Sequence, residues 1–237
     1  MPELVSPKQN KLLAALPDAD YQRIASQLEL VSLPLGESIY ESGDKIDYIH
    51  FPISCILSLL YVMKNGASAE IAVAGSEGLV GIALFMGGGS TPSRAVVQSA
   101  GHSYRMKGTT LKQEFDTSHA LQLCLLRYTQ ALITQMSQTA VCNRHHSVDQ
   151  QLCRWLLLSL DRLSSNKLEM TQELIANMLG VRREGVTEAA GKLQAQGIIH
   201  YSRGHITVLN RSALESQVCE CYQVVKTEYD RLLNKGA

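Results

Sequence analysis

The sequence predicts an α+β chain, with flanking helices around a β-rich N-terminal domain, one long helix, and a C-terminal winged helix-turn-helix. Three observations carry that prediction. Between residues 31 and 110, short runs of Val, Ile, Leu and Tyr are cut at regular intervals by glycine-containing turns, the texture of a sandwich or barrel. Beyond Asp116 no Gly or Pro occurs until after Leu163, and apolar residues there recur at helical spacing. In TQELIANMLGVRREGVTEAAGKL, residues 171–193, Ala176 and Gly180 stand four apart among apolar neighbours, with Arg182 and Arg183 just after them.

Each element follows in chain order. Ser6-Pro7-Lys8-Gln9 reads as a helix start, with a serine cap and a proline in the first turn. The helical region runs to about residue 30 and is capped afresh near Asp18. In the β-rich part, Asn65-Gly66 is the firmest hairpin, since both residues tolerate positive φ. Gly87-Gly88-Gly89 reads as a strand connection. In the long helix, Leu121, Leu125, Tyr128, Leu132 and Met136 form a narrow apolar seam of the kind that pairs with another helix. Leu123, Leu126 and Ile133 form a second apolar face, so the helix has surface for its own core and for a partner. Asn143–Ser147 interrupts the pattern and is expected to be a hinge, followed by an amphipathic helix around Leu152, Trp155, Leu156 and Leu160.

Two short helices cross at a steep angle only where the crossing residue is tiny, and the turn between them needs a left-handed residue. Ala176 suits the crossing and Gly180 the turn, with Ile175, Leu179, Val181, Val186 and Ala189 forming the apolar underside. The second helix is expected over 183–194. Its start would point Arg182, Arg183, Glu184, Thr187 and Glu188 outward, residue types able to grip guanine, accept from cytosine, or touch a thymine methyl or a phosphate. Runs at 198–201 and 206–209 around Ser202-Arg203-Gly204-His205 form a wing with Arg203 at its tip. Ser212–Glu215 reads as the capping box of a final helix. Arg203, Arg211 and Arg182 are the expected phosphate contacts, and Arg183, Glu184 and Thr187 the expected base contacts.

The totals narrow the function. The 237 residues suffice for one large or two ordinary domains, and 22 basic against 22 acidic residues rule out a polybasic surface. From 171 to 211 the five bases Arg182, Arg183, Lys192, Arg203 and Arg211 outnumber the three acids Glu173, Glu184 and Glu188, which suits a small anionic contact. With no stretch near the length of a membrane span and no signal pattern, a cytoplasmic location is expected and no membrane partner. The six scattered cysteines read as buried reduced thiols, and Cys219-x-Cys221 alone lacks the four ligands of a structural zinc site. No catalytic constellation is legible, so no enzyme, metal or cofactor is expected.

The stretches "LPLGESIYESGDKIDYIHFP" (33–52) and "TQELIANMLGVRREGVTEAAGKLQAQGIIHYSRGHITV" (171–208), in this order of elements, resemble the cyclic-AMP receptor/fumarate-nitrate regulator (CRP/FNR) family of bacterial transcription factors. The resemblance covers nearly the whole chain. It implies a cyclic-nucleotide-binding-like β-roll (double-stranded β-helix) sensor domain over 1–116, a dimerisation helix and hinge over 117–144, and a winged helix-turn-helix over 145–237. It also implies a homodimer reading a pseudo-palindrome in double-stranded DNA and contacting RNA polymerase. Arg183 and Glu184 match the family's base-reading arginine and glutamate; Glu188 stands where many members carry a second arginine, which changes the expected half-site.

In nucleotide-binding members a glycine–glutamate pair holds the ribose, and an arginine followed by Ser or Thr holds the phosphate. Here Val80-Gly81 and Ser93-Arg94 occupy those places. Gly81 has no acceptor to offer, and strand alternation turns Arg94 to the opposite face. The expected effector pocket is therefore degenerate and the effector unknown, with cyclic AMP not expected to bind. The second reading keeps the sensor but makes the winged helix a protein-interaction module.

Overall fold

The protein is described here by a computed structural model covering residues 5–233. Residues 1–4 and 234–237, which the outermost domain limits include, lie outside the described residues. A turn of 3₁₀ helix at Pro7–Gln9, capped by Ser6, leads into α1 (Lys11–Ala14) and α2 (Asp18–Ala25). The buried Asn10 fixes this entry: its side chain caps α1 and donates to the carbonyls of Pro52 and Gly78. The expected cap at Asp18 is displaced by one residue. Pro17 occupies the cap position, and Asp18 sits in the first turn, paired with Lys8 at 2.9 Å.

Seven antiparallel strands follow: β1 (Glu29–Leu33), β2 (Ser38–Tyr40), β3 (Tyr48–Pro52), β4 (Ile56–Val62), β5 (Ser68–Ala74), β6 (Arg94–Ser99) and β7 (Gly101–Lys107). They form two sheets, ordered β1-β7-β3 and β2-β6-β4-β5. Inward residues such as Ile49, Phe51, Ile56, Leu57, Leu79 and Met106 fill the space between. The β4–β5 hairpin turns at Asn65-Gly66 as expected, with Gly66 at φ +85°.

Helix α3 (Gly108–Thr117) leads to α4 (His119–His145), whose first turn is capped by Ser118 accepting from the Leu121 amide. The structure corrects the reading of the seam on α4. Leu121, Leu125, Tyr128 and Leu132 are at most 3% exposed. Tyr128 also donates to the Leu79 carbonyl at 2.7 Å, so this stripe faces the chain's own β-domain. Met136, half-buried, lines a cavity on that side. Helical periodicity identifies residues that share a face; it does not say what covers them. The face left open carries Leu126 and Ile133.

A break at His146-Ser147 precedes α5 (Val148–Leu160), whose start is a capping box between Ser147 and Gln150. Strand β8 (Lys167–Glu169) comes next, then α6 (Gln172–Leu179), α7 (Arg183–Ala195) and the hairpin β9 (Ile199–Ser202) and β10 (His205–Val208). The wing is a three-stranded sheet, β8-β10-β9. Sequence reading missed β8 because Lys-Leu-Glu is too short to show alternation. The final helix is two: α8 (Arg211–Gln217) and α9 (Cys221–Leu233). Asn210, not Ser212, caps α8, accepting from the Ala213 amide at 3.0 Å.

The C-terminal part folds back on the β-domain. Arg162, just beyond α5, pairs with Glu77 at 2.7 Å, and Gln98 donates to Ser159 at 3.1 Å. The Arg162 stem lies against Gly75, where any side chain would meet it at 2.7 Å. Met178 of α6 reaches Ser58, which hydrogen-bonds to Glu70. Burial pushes the Glu70 carboxyl up to about 7. Helix α9 lies along α4, where Gln135 meets the Tyr229 hydroxyl at 3.1 Å.

Candidate nucleic-acid interface and sensor cavity

Thr171 caps α6 by accepting from the Leu174 amide, and Gly180 ends it at φ +67°, ψ +31°, in the left-handed conformation that the turn requires. Ala176 is buried at the crossing, and Val186, Ala189, Ala190 and Leu193 bury the underside of α7. What remains outward at the start of α7 is Arg182, Arg183, Glu184, Thr187 and Glu188, all exposed. Arg182 is the N-cap residue and Glu184 lies in the first turn. Among the described residues, no ion pair or hydrogen bond engages the side chains of Arg182, Arg183 or Glu184.

Other expected contacts are already occupied. The Thr187 hydroxyl lies 2.8 Å from Gln172 Oε1 and 3.0 Å from the Arg183 carbonyl, its single proton shared between them, which ties α7 to α6. Glu188 pairs with Lys192, which also reaches Asp149. Arg211, an expected phosphate contact, is likewise engaged: its guanidinium pairs with Asp161 and Glu215 and meets the Tyr222 hydroxyl at 2.9 Å. It braces α8 against the end of α5 and has little left for a phosphate. Sequence reading could not see Asp161, 50 residues away.

Arg203 is different. It occupies the two-residue β9–β10 turn at φ +50°, followed by Gly204 at φ +82°. A turn with two positive φ angles is ordinarily filled by Asn-Gly, and an arginine there is strained by roughly 1 kcal/mol. The side chain is exposed and, among the described residues, has no ion pair. Replacing it tests whether that strain accompanies a task. Arg203→Asn is expected to raise unfolding stability by about 0.5–1 kcal/mol while weakening DNA binding on all sequences and lowering the salt slope by about 1. Unchanged affinity and slope would remove Arg203 from the interface.

In the β-domain, Val80, Gly81 and Ser93 line a cavity of about 190 Å³ between the sheets and α4. No charged side chain lines it; Tyr40, Tyr61, Thr91 and Ser93 supply its polar groups. Tyr40 hydrogen-bonds to Ser93, and burial pushes its phenol up to about 12. Arg94 is absent from the lining. It pairs with Glu41 at 3.0 Å, turned away as strand alternation requires. A cyclic nucleotide would bring a phosphate and ribose hydroxyls to a wall that offers neither a cation nor a carboxylate, so the cavity does not fit that ligand. Isothermal titration with cyclic AMP at micromolar protein is expected to give no saturable heat; a saturable isotherm would contradict this.

A third cluster was missed. Cys142 and His146 at the end of α4 stand beside Cys219 and Cys221 at the α8–α9 junction, and their ligand atoms all lie within 4.8 Å of one another. This corrects the expectation that Cys219 and Cys221 stand without further metal ligands. The i, i+4 spacing of Cys142 and His146 was the available signal, but nothing local joined it to a pair more than 70 residues later.

Comparisons with known proteins agree with this architecture. A cyclic nucleotide-binding domain is matched at residues 30–118 and a Crp-like helix-turn-helix domain at residues 150–217. Among solved structures, FixK2 from Bradyrhizobium japonicum is 17% identical, with a TM-score of 0.70 over 81% of this chain and 98% of its own. A CRP/FNR-family transcriptional regulator from Thermus thermophilus is 18% identical, with a TM-score of 0.63 over 80% and 97%. CLP of Xanthomonas campestris, a c-di-GMP responsive global regulator, is 17% identical, with a TM-score of 0.62 over 81% and 99%. No curated protein matches the chain by sequence. A cyclic-nucleotide-type β-domain joined to a Crp-like helix-turn-helix defines a class of transcription regulator. The chain belongs to the CRP/FNR family. Among the described residues no helix is long and apolar enough to cross a membrane.

Proposed function

We propose that the protein is a homodimeric transcription regulator that reads a pseudo-palindromic DNA site through the start of α7 and responds to a ligand other than cyclic AMP. The observation that carries this reading is the set of Arg182, Arg183 and Glu184, exposed and unpaired at the start of a helix whose opposite face is fully packed. Arg183 is suited to bidentate contact with guanine and Glu184 to the cytosine amino group, while Arg182 and Arg203 would meet phosphates. Thr187 and Glu188 flank the reading edge; their present partners, Gln172 and Lys192, would be exchanged for DNA.

Pairing falls to the open face of α4. Leu126, Ile133 and Val141 are 48%, 54% and 47% exposed, and the first two are one heptad apart. The effector would enter the apolar cavity beneath α4, where Leu132 and Met136 connect its contents to the helix that carries the dimer face. Gel shift against genomic fragments at two salt concentrations tests the reading. Fragments enriched over competitor DNA, with affinity falling as salt rises, are expected. No enrichment would favour the winged helix as a protein-interaction module.

A further inference from the structure

Three thiols and an imidazole converge where the hinge meets the C-terminal helices. Cys142, Cys219 and Cys221 are buried and form a small cluster separate from the main core, so packing of that core does not account for them. Cys142 Sγ lies 3.6 Å from Cys219 Sγ, and Cys221 Sγ lies 3.6 Å from His146 Nδ1. Four ligands at about 2.3 Å from a tetrahedral ion stand about 3.8 Å from one another, so these edges already match and the widest must close by about 1 Å. The other imidazole nitrogen, Nε2, faces the Glu220 carboxylate at 3.4 Å. A carboxylate on the far nitrogen of a metal-bound histidine fixes the tautomer that leaves Nδ1 free to coordinate.

We propose that Cys142, His146, Cys219 and Cys221 form a closed tetrahedral zinc(II) site. Three thiolates and one imidazole are the donor set of structural zinc, with no ligand position left open for catalysis. Binding displaces the three thiol protons and leaves zinc in its single stable oxidation state. The ion ties the last turn of α4 to the first turn of α9, across the His146-Ser147 break that leads into the helix-turn-helix. The site thus sets the hinge at which the sensor half meets the DNA-reading half. It uses none of the residues assigned to DNA contact or to the cavity, so it stands or falls separately from them.

The test is cobalt(II) titration of the full-length, reduced, metal-stripped protein, followed by displacement with zinc(II). Saturation at one equivalent is expected, with visible bands of tetrahedral thiolate coordination and a sulfur-to-cobalt charge-transfer band, both lost on adding zinc. Cys219→Ser is expected to weaken binding by more than about 100-fold, and Glu220→Gln by about tenfold, since losing a ligand costs more than losing its outer partner. Cys124→Ser, in a half-buried thiol on α4 outside the cluster, leaves binding unchanged. Should Cys219→Ser not fold, His146→Ala carries the same prediction. Absence of one-equivalent saturation in the reduced wild type would overturn the proposal, as would wild-type affinity in the ligand variants. A Cys142–Cys219 disulfide in protein that takes up no metal after reduction would overturn it too.

Discussion

Glu77→Ala unfolds at markedly lower urea than wild type, with a loss of about 3 kcal/mol. The reason is the asymmetry of buried charge. Arg162 is 4% exposed on its side chain and Glu77 15%, and their ion pair at 2.7 Å joins the chain beyond α5 to the loop after β5. Arg162 also donates to the Leu158 carbonyl and lies over the Tyr229 ring, so it cannot swing into water without giving up its packing. Removing one partner strands a buried cation, which costs about 3–5 kcal/mol; the partial exposure of Glu77 places the loss near the lower end. The double variant Glu77→Leu with Arg162→Met is expected to recover most of the stability, because no charge is then stranded. A single-variant loss under about 1 kcal/mol would show that the pair is solvated.

If two copies pair through α4 as proposed, Ile133→Asp leaves a monomer by light scattering and lowers affinity for a palindromic site by at least about 100-fold, as joined half-sites lose their effective concentration. Ile133 is the most exposed large apolar residue on α4 and lies at the middle of the open stripe. In a pair of such helices an aspartate there would be buried against its own copy without a counter-ion. The fold of one subunit should be untouched, because Ile133 does not contribute to the buried core. A dimeric Ile133→Asp protein with wild-type affinity would move the pairing surface elsewhere.

Much of this architecture was legible from local chemistry. Gly180 and Ala176 located the helix-turn-helix because a left-handed turn and a tight crossing admit few residues. Asn65-Gly66 located a hairpin for the same kind of reason. The failures share a cause: they depend on contacts between distant parts of the chain. Leu125 and Tyr128 share a face in any helix, but only the packed β-domain shows that this face is the inner one. Arg211 looks free until Asp161 is beside it. Cys142 with His146, and Cys219 with Cys221, are each unremarkable pairs until α9 is laid along α4. The outward turn of Arg94, away from the cavity and onto Glu41, was legible because strand alternation is a local rule.

If α7 reads bases through Arg183, footprinting of Arg183→Ala beside wild type on a selected duplex site shows it. Wild type is expected to protect two half-sites about one helical turn apart. The variant should lose about 1–3 kcal/mol and relax discrimination at a single base pair in each half, with its salt dependence retained. A variant that protects the same site with the same sequence preference would contradict the account.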